Sequence, residues 1–325
     1  MSLPGPSADA ALPDERRGAT RTAWLAAPGI VAAALIALLG VAAATHGTGE
    51  LPVHAAGTTT LLRAIVFAAL AVHLGELAGA RFARAPSRAD RPRPAPRPLS
   101  AVASLAGAGA CAGQLLLLCG VSGLNAASAY STVQGRLLLV MANGFLLAAG
   151  CAALGRPGWA LAPLAAVVGA EALRAHPEQS TPLIGAALTV VHLTAASLWT
   201  GGLFHVLRVL CGARGDRPYA NAVLSRYARR AGWLPVALAA TGTASALRKM
   251  PFDVALTSAY GRVLLVKLAL VGAASALALG ARRRLRRTGT AGREAYLEVT
   301  VLAVVVLVSA VLTVVPNPSW HALAR

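Results

Sequence analysis

Nine apolar runs constrain this chain more than any other feature. Each is long enough to cross a bilayer, and the connections between them alternate between arginine-rich and nearly free of basic residues. A spanning helix needs about 20 mostly apolar residues. Such runs fall at roughly Ala23–Thr45, Thr58–Ala80, Leu99–Gly120, Gln134–Leu154, Pro157–Ala175, Pro182–Leu207, Tyr227–Leu247, Tyr260–Ala281 and Ala295–Val315. With 56% hydrophobic and 13% charged residues and a mean hydropathy of +0.63, a water-soluble domain could not hide this surface. The runs are continuously apolar, whereas barrel strands alternate, so a membrane β-barrel is excluded. The expected fold is an all-α, polytopic transmembrane helical bundle of about nine spans.

The connections set the expected orientation. Arginines crowd RFARAPSRADRPRPAPRP (81–98), the segment with Arg208, Arg214, Arg217, Arg226, Arg229 and Arg230, and RRRLRR (282–287) with Arg293. The intervening connections THGTGELPVHAAG and VSGLNAASAYST carry no basic residue, ALRAHPEQST carries Arg174 alone, and KMPFDVALTS adds Lys249 beside Arg248. Basic loops mark the cytoplasmic face, which puts the N-terminus inside and the C-terminus outside. The net charge of +18 is thereby a topology signal, and no nucleic-acid partner is expected. The surrounding partner is membrane lipid.

This organisation divides the chain into a cytoplasmic tail (1–22), an N-terminal anchor span with its outer loop (23–57), a first membrane helix group (58–175) and a C-terminal membrane domain (176–325). The first span reads as an uncleaved anchor. Its end, AAATH, also resembles a small-residue cleavage site, and cleavage there would leave eight spans with the same topology. The four cysteines, Cys111, Cys119, Cys151 and Cys211, form no CxxC pair, and small buried hydrophobes are the expectation for them.

An ionisable group in hydrocarbon costs several kcal/mol by most estimates, so each needs a partner, a cavity or a task. Arg63, Arg136 and Arg262 lie near outer span ends and are expected to snorkel to the interface. Lys267 lies deeper and needs a carboxylate or carbonyl. His73 and Glu76, three residues apart in AVHLGELAG, belong on one helical face. His192 falls near the middle of TVVHLTAASLWTGGLFHVLRVL (189–210), at a level His73 could share. Two readings stay open for His192: a single interhelical hydrogen bond, or a metal or proton pathway. His205 reads as structural. Outside, His46, His54 and His176 are candidate capture residues, since imidazole suits copper, zinc or nickel. No residue pair has the spacing to ligate two stacked haems, while one haem between His73 and His192 stays open.

Four C-terminal blocks resemble the CopD family of bacterial copper-resistance membrane proteins: VVHLTAASLWTGGL (190–203), RYARRAGWLPVALAATGTASA (226–246), LTSAYGRVLLVKLALVGAASALALGARRRLRR (256–287) and LEVTVLAVVVLVSAVLTVVPNPS (297–319). The resemblance covers about residues 183–319, with a looser fit through LLRAIVFAALAVHLGELAGA. It implies an eight-span core, to which this chain adds its N-terminal span, in the bacterial plasma (inner) membrane. It also implies copper ion as the substrate, moved inward from the outer face. Some relatives carry a CopC-like copper-binding domain ahead of the spans; here the first span occupies that place, which implies a separate extracytoplasmic CopC-like partner. His192 is the metal-competent residue within the matching blocks, with His73 as a second ligand and Glu76 as its charge partner.

The expected function is copper transport through a midplane histidine site. Two alternatives stay open: a copper-binding or oxidase-assembly protein without translocation, and a haem-containing redox protein. No nucleophile–base–orienter set is visible, so no enzyme activity is expected.

Overall fold

A computed structural model describes residues 55–83, 96–175, 182–212, 217–249, 258–288 and 292–315, together with Leu35, Leu38, Leu39 and Ala42. These residues form α1 (Ala56–Ala83), α2 (Ser100–Ser122), a short α3 (Ala126–Ser131), α4 (Val133–Ala153), a 3-10 turn (Pro157–Ala160) leading into α5 (Leu161–Ala175), α6 (Pro182–Gly212), α7 (Arg217–Arg230), a second 3-10 turn (Ala231–Trp233), α8 (Leu234–Lys249), α9 (Ala259–Thr288) and α10 (Gly292–Leu312). No strand occurs among the described residues. Among the described residues, six helices are long and apolar enough to cross a membrane: α1, α2, α4, α6, α9 and α10. The chain is a multi-pass helical membrane protein.

Local chemistry fixes the ends. Gly123 (φ 63°) and Gly155 (φ 68°) take the left-handed conformation that stops α2 and α4. The following N–H groups, on Leu124 and Arg156, return to the carbonyls of Cys119 and Cys151. Asn125 and Thr132 accept from the backbone N–H groups of Ser128 and Gly135 and so start α3 and α4. Pro235 has no N–H to offer the carbonyl of Ala231; that carbonyl takes the Leu234 N–H instead, tightening the chain into the 3-10 turn between α7 and α8.

Two expected spans differ from their expectation. The fifth is α5, of 15 residues, lengthened by the 3-10 turn before it, and the seventh is reduced to α8, of 16 residues. At 1.5 Å per residue, α8 covers about 24 Å, less than a hydrocarbon core of about 30 Å. The basic segment before it, expected as a loop, is the helix α7. It forms a helix despite its arginines because Val223, Leu224 and Tyr227 share one buried side.

Two apolar cores share α6. Val66, Leu70, Cys111, Met141, Phe145, Leu164 and Val167 build one from α1, α2, α4 and α5. Trp199, Leu203, Val206, Val223, Tyr227, Ala274 and Leu302 build the other from α6, α7, α9 and α10, with Leu238 of α8. Helix α6 serves both, since its Leu193 and Leu198 pack against the first core. Its contact with α1 is backbone on backbone: a Cβ on Gly75 would lie 2.1 Å from the carbonyl carbon of Gly201, and one on Gly201 would lie 1.7 Å from the oxygen of Ala71. Gly79 faces the ring of His205 in the same way. The pairs 75 with 201 and 79 with 205 advance together, so α1 and α6 run parallel.

Candidate functional site

His192 sits half-buried on the face of α6 turned toward α8. Its Nδ1 is 3.0 Å from Thr241 Oγ1. The Thr241 hydroxyl is already spent on the carbonyl of Ala237 at 2.6 Å, so Thr241 accepts and His192 Nδ1 carries the proton. That assignment leaves Nε2 with its lone pair, the form in which imidazole binds metals. Gly242 lies beside the ring, where an added Cβ would sit 3.5 Å from Cε1. The charge of Lys267 on α9 also acts on this imidazole.

His73 is fully buried on the other side of the α1–α6 contact. Its Nδ1 meets Ser104 Oγ on α2 at 2.5 Å, and its Nε2 is buried without a hydrogen-bond partner. Glu76 shares that α2-facing side, as the three-residue spacing requires. Its oxygens accept from the N–H groups of Leu99 (2.9 and 3.0 Å) and Ser100 (2.9 Å) and from Arg208 Nη1 at 2.5 Å. It therefore caps the start of α2 and ties it to α6, and its hydrogen bonds do not go to the His73 imidazole. His205, buried against Gly79, has an Nδ1 without a partner.

The structure does not bring His73 and His192 together. Gly75 faces α6, and His73, two residues earlier, points about 200° away at 100° per residue. Gly201 faces α1, and His192, nine residues earlier, points about 180° away. With Gly75 level with Gly201, His73 is level with Trp199, seven residues and about 10 Å along the axis from His192. One ion, or one haem iron, between these two imidazoles is not formed in this arrangement. Among the described residues no cluster of three or more His, Cys, Asp or Glu could hold a metal. His46, His54 and His176 lie outside the described residues.

Two polar groupings were not anticipated. At one end of the first core, Arg174 Nε donates to Glu171 Oε2 at 3.0 Å and its Nη1 to Gln114 Oε1 at 2.9 Å, while Arg63 Nη1 stands 3.8 Å from Glu171 Oε1. Arg63 is thus part of a buried ion cluster, with 14% of its side chain exposed, and does not snorkel as expected; Arg136 and Arg262 are exposed. In the second core, Trp199 Nε1 donates to Glu298 Oε1 at 2.8 Å, and the Tyr227 hydroxyl donates to the Trp199 carbonyl at 2.9 Å. Glu298 is 4% exposed. These side chains border a small cavity together with Arg282. The available signal was a lone glutamate entering the apolar run LEVTVLAVVV.

The fold and these groupings define a class: a multi-pass helical membrane protein with imidazole and carboxylate groups buried between its spans. Residues 221–315, from α7 to just past the end of α10, match the model of the CopD family, described as Copper resistance protein D. The matched segment begins after α6, later than the resemblance at 183–319 implied. Tyr227, Thr241, Lys267, Arg282 and Glu298 fall inside it, and His192 does not. No curated protein and no solved structure matches the chain.

Proposed function

We propose that this protein passes copper inward across the bacterial plasma membrane, with His192 as the ligand the ion meets on its way. In this reading all nine apolar runs span, the seventh by adding the 3-10 turn and the end of α7 to α8; the N-terminus is cytoplasmic and the C-terminus is outside. The observation that carries the reading is the Nε2 lone pair of His192, held in one tautomer by Thr241, on a membrane helix of a chain whose residues 221–315 match a copper-resistance family. The partner that orients a ligating imidazole commonly sets its affinity. The Lys267 charge disfavours a resident cation there, and a conducted ion must bind weakly enough to leave.

His73 serves as a separate station in this scheme, because geometry keeps it from the ion at His192. Glu76 is its charge neighbour and holds α2 in place beside it. His46, His54 and His176 concentrate copper at the outer face, delivered by a CopC-like partner. The membrane potential supplies the drive, at about 2.3 kcal/mol per charge per 100 mV for an inward-moving cation.

Cell-associated copper in cells expressing His192→Ala, against wild type at matched membrane abundance, tests the reading. Uptake falls to the vector level if His192 is the ligand, and uptake equal to wild type removes it from that role. Purified protein in liposomes tests translocation itself: copper entry supports transport, whereas copper binding without entry replaces it with a protein that hands copper over at one face.

A further inference from the structure

Three carboxylates are buried among the described membrane helices: Glu76, Glu171 and Glu298. The first two are held by fixed cations. Glu76 has Arg208 and three backbone N–H contacts, and Glu171 has Arg174 at 2.8 Å with Arg63 beyond it. Glu298 differs. The hydrogen bond it accepts comes from the indole of Trp199, and no ion pair within 4 Å reaches it among the described residues.

An indole N–H is a donor only. It can donate to the carbonyl oxygen of a neutral carboxyl or to a carboxylate, more strongly to the latter, so the bond persists in both states and its strength follows the charge. The cavity beside it, of about 20 Å³, is lined by Trp199, Tyr227, Arg282 and Glu298 together with leucine and alanine side chains. That is room for one water, for which the Glu298 carboxyl and the Arg282 guanidinium offer hydrogen-bond partners on an otherwise mostly apolar lining. Such a water can accept a proton from the carboxyl or donate to the carboxylate.

The groups facing Glu298 are few. From α7 comes Tyr227, whose hydroxyl donates to the Trp199 carbonyl. From α9 comes Arg282, whose guanidinium rests against Gly232 and whose side chain also lines the cavity. From α6 comes Trp199, while His205 and Arg208 of that helix turn toward Gly79 and Glu76 of α1. On α10 itself, Glu294 pairs with Arg284. Both charge states of Glu298 therefore have partners: Trp199, the water and the Arg282 charge for the anion; Trp199 and the water for the acid.

We propose that Glu298 is a proton-binding site of this protein, exchanging its proton with water in the cavity, and that α6 senses its charge through Trp199. His192 lies two turns from Trp199 on the same face of α6, since seven residues bring a helix back to within about 20°. The proton site stands independently of copper. Its coupling to copper movement rests on the proposed function.

Infrared difference spectra of the full-length protein in lipid, recorded on acidification, test the proton site. Wild type shows a titrating carboxyl C=O band that shifts in deuterium oxide, and Glu298→Gln lacks it while keeping its helical circular dichroism. The same band in Glu298→Gln, or no titrating carboxyl band in wild type, overturns the site. Should Glu298→Gln fail to fold, Glu298→Asp carries the test: its band must move in frequency, and an unmoved band overturns the assignment. A pH dye inside copper-loaded proteoliposomes tests the coupling. Copper entry with proton movement that Glu298→Gln abolishes supports it, and copper entry without proton movement in wild type overturns it. Absence of any copper entry in wild type overturns the coupling together with the transport reading, and the infrared result then decides the proton site alone.

Discussion

Gly75 of α1 and Gly201 of α6 meet backbone to backbone, so close that neither position has space for a methyl group. In lipid, where helices gain little from hiding apolar surface from one another, such close packing is a main source of association. Gly201→Ala puts a Cβ 1.7 Å from the Ala71 carbonyl oxygen, which only separation of the helices can relieve. A loss of about 1–3 kcal/mol is expected, as for other overpacked sites. Thermal unfolding in detergent checks this, with Gly109→Ala and Gly272→Ala as controls, since nothing lies within 4 Å of a Cβ at either.

Glu76→Ala leaves the N–H groups of Leu99 and Ser100 without an acceptor and Arg208 without its carboxylate. Breaking a buried pair on one side costs about 3–5 kcal/mol. Arg208 keeps 20% of its side chain exposed, which moves the expectation to the lower end of that range. Glu76→Gln keeps a neutral acceptor for α2 and should lose less. Denaturant or thermal midpoints of the two variants, compared with Arg208→Ala, give the order.

Thr241→Val removes the acceptor that fixes the His192 tautomer and leaves the imidazole itself in place. Under the proposed function, copper affinity falls by about 10–100-fold, the usual effect of losing a ligand's orienting partner. Thr241→Ser, which retains the hydroxyl, stays near wild type. Copper titration of the purified variants reads the difference. Equal affinity in Thr241→Val shows that the threonine does not orient the ligand.

Tyr227→Phe deletes the hydroxyl bond to the Trp199 carbonyl without changing the ring that packs beside Gly202. The expected cost is about 1 kcal/mol, that of one hydrogen bond with no charge involved. Thermal unfolding measures it. Trp199 fluorescence should change little, because the indole keeps its bond to Glu298.

The long spans were readable because a bilayer imposes one length and one polarity on whatever crosses it, and α1, α2, α4, α6, α9 and α10 meet both. Helix α7 was not, since its arginines resemble a loop until Val223, Leu224 and Tyr227 are seen to share one side. Pro235 held the clue to the break that follows. At the sites, spacing alone put His73 and Glu76 on one face, and both do turn toward α2. Spacing says nothing of which helices are neighbours. The partners Ser104 and Thr241, and the opposite outlook of His73 and His192, belong to tertiary packing. Glu298 was overlooked for a related reason: a carboxylate near a span's end is expected to reach water, and its burial comes from the packing of α6, α7 and α9 around it.

The cap that Glu76 places on α2 has a consequence for the order of assembly. Arg208, the cation that completes the cap, follows Glu76 by 132 positions in the chain. During synthesis α1 and α2 are made before α6 exists, with a carboxylate whose counter-charge has not yet been synthesised. The pair is whole only when α6 arrives and slides its glycines against α1. That arrival both neutralises the first helix group and brings the wall on which the second is built, making α6 the step that commits the nascent chain to its final arrangement.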